Sequence, residues 1–240
     1  MPLIAQVSPA KRTISPSAYP ESPRIDDQNH LPLSALPSSG QGSPIICILD
    51  TGISKEIYEK HRNKFVAPPY SVFTKKAIEP EEEWEITNVP SDDPRYCHGT
   101  KVFSIMATMN PNARFAVIKV FSEKEDTIYT LLRHGIVYAT ECGYPFVNLS
   151  LEIPASILKP IQTKGLKDAI EHLCDRGAYV FVASGNQGTS MDGALVPAQF
   201  AGSTDTLMKC FCVSSYNHLC KEKTLCKYAS CRGVLSITVV

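Results

Sequence analysis

Apolar positions fall into two alternating rhythms from Ser43 onward. Ile45 to Leu49 is a continuous, β-branched run, the pattern of a strand covered on both faces. His98 to Met109 then sets Val102, Phe103, Ile105, Met106 and Met109 along one face of a helix. Phe115 to Phe121 reads as another internal strand. Thr127 to Cys142 returns to helical spacing through Ile128, Leu131, Leu132, Ile136 and Ala139, with Gly143 placed to stop it. Tyr144 to Leu151 reads as a strand. Ile161 to Arg176 reads as a helix with Leu166, Ala169, Ile170 and Leu173 on one side and Gly177 at its end. Tyr179 to Ser184, Cys210 to Ser214 and Val234 to Val240 have the character of strands. Strands and helices taken in turn predict an α/β fold, a mostly parallel sheet with helices on both faces.

Two stretches stand outside these rhythms. Residues 1–43 are rich in Pro and Ser and predict a flexible leader ahead of a domain over 44–240. Residues 54–96 are polar and irregular, and their acidic run from Glu79 to Glu85 reads as a solvated insertion. Lys plus Arg and Asp plus Glu balance at 24 each, which gives no electrostatic reason to expect nucleic acid or an anionic membrane as partner. No apolar run is long enough to cross a bilayer, and the first residues lack the pattern of a secretory signal, so a cytoplasmic location is expected. Nine cysteines, an odd number, favour thiols in a reducing compartment. Five of them lie between Cys210 and Cys231, yet no C-x-x-C pair is present, and neither a cofactor nor a metal is expected.

Four short segments carry candidate chemistry. Asp50 closes the first strand, where open α/β sheets place functional groups; its carboxylate could hold a histidine, although Asp50-Thr51-Gly52 is also good turn chemistry. His98, in His98-Gly99-Thr100, opens a helix and suits a general base, with Cys97 beside it as a thiol that reagents could reach. Asn148-Leu149-Ser150-Leu151 ends a strand whose edge could pair with extended peptide. Asn186, after Ala183-Ser184-Gly185, could offer a side-chain amide to a developing oxyanion.

In this order, the four segments resemble the subtilisin-like serine proteases, a family with an Asp-His-Ser triad. The resemblance covers about residues 43–240 and implies Asp50 and His98 as triad members, Asn186 as oxyanion donor, and Ser150, Leu151 and Glu152 as the substrate strand. It implies serine endopeptidase activity on polypeptide substrates, with further domains in a longer form. The sequence departs from the family at Lys101, where a second histidine is usual, and at Glu152-Ile153-Pro154, where small glycines are usual.

The nucleophile is the weak point of the match. Ser190 in Gly188-Thr189-Ser190-Met191 has the family's local motif, but Asp192, Gly193 and Pro197 interrupt the helix that should follow. In the family the nucleophile lies roughly sixty to seventy residues beyond the oxyanion asparagine, whereas 54 residues follow Asn186. The expectation is therefore a peptidase domain lacking its C-terminal part, with Ser190 as a secondary candidate. A catalytically inactive, peptide-binding pseudoprotease is the alternative.

Overall fold

The computed structural model describes residues 3–4, 42–86, 92–93, 95–121, 128–185, 195–213, 216–217 and 224–225. In chain order the strands are β1 (Leu3–Ile4), β2 (Ile45–Asp50), β3 (Tyr70–Ser71), β4 (Lys76–Ala77), β5 (Arg114–Lys119) and β6 (Phe146–Leu149). They continue with β7 (Leu151–Pro154), β8 (Tyr179–Ala183), β9 (Leu195–Val196), β10 (Cys210–Val213), β11 (Tyr216–Asn217) and β12 (Thr224–Leu225). The α-helices are α1 (Lys55–Lys60), α2 (His98–Met109), α3 (Ile128–Glu141) and α4 (Pro160–Asp175).

The main sheet has seven strands in the order β10-β8-β6-β2-β5-β3-β4, parallel throughout except for the β3–β4 pair. Beside it stand a three-stranded sheet, β1-β7-β9, and the β11–β12 hairpin. Cys47, Ile48 and Leu49 of β2 are fully buried, as the unbroken apolar run predicts for a strand covered on both sides. Cys47 and Leu49 join the core cluster that includes Leu132 and Ile136 of α3 and Ile170 and Leu173 of α4. Ile48 joins the opposite cluster, with Phe103 of α2 and Phe115 and Val117 of β5. Helices therefore lie on both faces, and Asp50 emerges at the C-terminal end of β2.

The periodic helices stand where their spacing puts them: α2 spans His98–Met109, and α3 and α4 end shortly before Gly143 and Gly177. Tyr144 to Leu151 differs from the single strand expected. β6 ends at Leu149 in the main sheet, and β7 begins at Leu151 in the smaller one. Ser150 marks the change, its hydroxyl donating to Asn148 Oδ1 at 2.9 Å. Leu149 and Leu151 are both fully buried, so the apolar pattern runs across the break without showing it.

The acidic run is exposed or half-exposed from Glu79 to Glu83 and buried at Glu85, and the described residues ahead of it form a partly buried layer. Ser54 caps α1 by accepting from the Ile57 N–H at 3.2 Å. Tyr58, Phe65, Ile78, Glu85 and Ile86 are buried, and β3 and β4 extend the main sheet. Two-residue strands and a six-residue helix are too short for periodicity to reveal. Within residues 1–43, Leu3–Ile4 pairs in parallel with Leu151–Glu152. Val234–Val240 lies outside the described residues.

Candidate active site

Asp50 is the last residue of β2 and His98 the first of α2, and the fold brings these positions, 48 residues apart, into contact. His98 Nδ1 lies 2.8 Å from Asp50 Oδ1, and both residues are buried. An ionised carboxylate can only accept hydrogen bonds, so the facing Nδ1 must carry the proton and the ring's basic lone pair sits on Nε2. The Thr51 N–H also donates to Asp50 Oδ1, at 2.8 Å. Among the described residues Asp50 Oδ2 is buried without a hydrogen-bond partner. A carboxylate in contact with the imidazole can stabilise any imidazolium that forms.

Close backbone packing fixes this meeting. Gly52 has φ +108°, and a Cβ there would lie 2.0 Å from the Trp84 carbonyl oxygen. A Cβ on Gly99 would lie 2.1 Å from the Gly52 carbonyl oxygen. Only glycines let the 50–54 turn and the start of α2 approach this closely. Beneath them, the Tyr58 ring lies 4.9 Å from Phe65 and 5.2 Å from Trp84, and Phe65 stacks 4.9 Å from Phe103 of α2.

One residue of the site escaped the sequence reading. Glu85 is 2% exposed and forms an isolated antiparallel bridge with Gly52. Its Oε1 accepts from Thr51 Oγ1 at 3.1 Å and from the Thr100 N–H at 2.8 Å, and its Oε2 accepts from Thr100 Oγ1. Burial pushes its carboxyl above the usual glutamate range, a shift the three hydrogen bonds oppose without cancelling. As the last glutamate of an acidic run, it carried no local signal to set it apart.

Cys97, just before His98, is partly buried at φ +50°. Burial, and then the charge of Glu85, push its thiol up, so little thiolate is present at neutral pH. Cys47, Cys97, Cys142, Cys174, Cys210 and Cys212 are thiols rather than disulfide halves. Among the described residues no cluster of His, Cys, Asp and Glu could hold a metal ion.

The expected substrate strand is only half open. Ser150 is partly exposed, but Leu151 and Glu152 have buried side chains. What β7 offers a ligand is its backbone, and β1 lies against that edge. Ser184 follows β8, its N–H donating to the Val213 carbonyl at 2.9 Å. Asn186 and Ser190 lie outside the described residues.

The sheet and its buried pair place the molecule among α/β proteins that back a histidine with a carboxylate. Residues 41–236 match the sequence model of the subtilase family, peptidase S8, and the chain belongs to that family. Subtilisin DY of Bacillus licheniformis is 29% identical over 102 residues, 39% of this chain and 35% of that protein. A solved lanthipeptide protease is similar with a TM-score of 0.58 at 16% identity, over 79% of this chain and 53% of that one. A variant of the epidermin leader peptide processing serine protease from Staphylococcus aureus gives 0.53 at 21% identity, over 82% and 51%. The chain spans about half the length of these two structures and about a third of the curated relative. Among the described residues no helix is long and apolar enough to cross a membrane.

Proposed function

We propose that this chain carries the acid-base half of a serine endopeptidase acting on extended polypeptide. The 2.8 Å contact between Asp50 Oδ1 and His98 Nδ1 is the observation that carries the reading. Asp50 fixes the tautomer and orientation of His98, and Nε2 takes the proton from a serine hydroxyl as its oxygen attacks the peptide carbonyl. The imidazolium then returns that proton to the departing amine, and water repeats the exchange on the acyl-enzyme. Asn186 is assigned the oxyanion amide from its sequence context alone. Ser190 is the secondary candidate for the nucleophile.

Fluorophosphonate labelling of the chain and of its His98→Ala and Ser190→Ala variants tests this. Labelling that needs both residues makes Ser190 the nucleophile. Labelling that needs His98 but survives at another serine keeps the acid-base pair and removes Ser190. Labelling indifferent to His98 overturns the reading.

A second reading, a peptide-binding module without turnover, draws on the parallel pairing of Leu3–Ile4 with Leu151–Glu152, which supports an edge of β7 able to take extended backbone once β1 gives way. An unlabelled chain that binds extended peptides would favour it.

A further inference from the structure

We propose that Glu85 is a positioning residue, one that sets the Asp50–His98 pair by anchoring the threonine beside each partner. The inference rests on the acid-base reading above and adds a residue to it.

Thr51 Oγ1 accepts the Gly99 N–H at 2.9 Å, so its single proton is free to go to Glu85 Oε1. Thr100 Oγ1 accepts the Ser54 N–H at 2.8 Å, so its proton goes to Glu85 Oε2. The two backbone N–H groups cannot reverse, and each leaves its hydroxyl one proton and one further lone pair. With both protons given to Glu85, its two oxygens accept, and Oε1 takes the Thr100 N–H as well. A carboxylate accepts at both oxygens at once; an amide accepts at one only, so one threonine would have to turn its proton away.

The consequence reaches the dyad from both ends. Thr51 is the residue after Asp50, and its N–H bonds Asp50 Oδ1. Thr100 lies in the first turn of α2, two residues after His98. Glu85 therefore clamps the turn after β2 to the first turn of α2. Backbone bonds hold its own segment: the Ile86 N–H donates to the Thr51 carbonyl at 3.2 Å, and the Ile53 N–H to the Trp84 carbonyl at 3.3 Å. Asp50 and Cys97 are the titratable neighbours whose charges couple to it.

The test is low-field proton NMR of the 240-residue chain, with His98→Ala assigning the His98 Nδ1–H signal. In Glu85→Gln, far-UV circular dichroism should be unchanged while the signal disappears or its solvent exchange rises on the order of tenfold. If Glu85→Gln does not fold, Thr100→Val and Thr100→Ser replace it. The valine variant should lose the signal, and the serine variant, which keeps the hydroxyl, should retain it. A folded Glu85→Gln with an unchanged signal, or equal behaviour of the two Thr100 variants, overturns the positioning role alone. Absence of the signal from the unmodified chain overturns the Asp50–His98 pair and the role of Glu85 with it.

Discussion

The carbonyl oxygen of Gly52 occupies the space that a side chain on Gly99 would enter, 2.1 Å from the position of its first carbon. Backbone stands on both sides of this contact, so neither partner can turn aside. Gly99→Ala should cost about 3 kcal/mol or more, because the start of α2 must move off the 50–54 turn. Urea unfolding measures that loss, and the low-field Nδ1–H signal should weaken with it. Unchanged stability would mean the two turns are not in contact.

Glu85 gives stability a pH dependence whose sign is fixed by its raised pKa. Below the ordinary glutamate range the folded and unfolded chains both carry its proton. Between that range and the raised value the folded chain holds the proton more often, so stability falls as pH rises through the interval. Urea midpoints across this window should fall less steeply in Glu85→Gln than in the unmodified chain. The ionised form that orders the threonines is thus the form that burial disfavours.

One face of the main sheet carries a half-buried aromatic row. Strand register puts Phe211 beside Phe181, and Phe181 beside Asn148, on the face of Ile48 and α2. Phe146, Tyr179, Phe211 and Phe181 stack in that order with centroids 5.4–6.2 Å apart. Tyr179 is 42% exposed, and Ile105 and Met109 of α2 are 55% and 69% exposed. The chain should bind a hydrophobic fluorescent dye and self-associate in light scattering. Replacing Phe181 and Phe211 together by Thr should reduce both signals; equal dye binding would show that this face is covered.

Ile4→Pro removes the backbone N–H of β1 and disfavours its place beside β7. Amide exchange at Leu151 and Glu152, their partners in register, should then rise by about tenfold. Affinity for extended peptides should increase as the edge opens. Unaltered exchange would remove Leu3–Ile4 from any part in guarding that edge.

How far the sequence revealed this molecule depends on element length. β2, α2, α3 and α4 run for six to sixteen residues, long enough for their periodicity to repeat, and each stands close to its expected bounds. β3 and β4 have two residues each and no period to read. Asp50 and His98 were legible because their neighbours form recognisable motifs at the ends of regular elements. Glu85 was not, because its importance lies in three hydrogen bonds to distant threonines, and nothing local separates it from the exposed Glu81 and Glu83. The break at Ser150 was hidden because the leucines on either side of it are equally buried.

α2 begins on His98 itself, preceded by a left-handed Cys97. The aligned peptide dipoles of its three turns therefore have their positive end at this residue. The carboxylate that closes β2 meets the same ring at Nδ1. One imidazole thus joins the positive end of a helix to the terminal side chain of a buried strand.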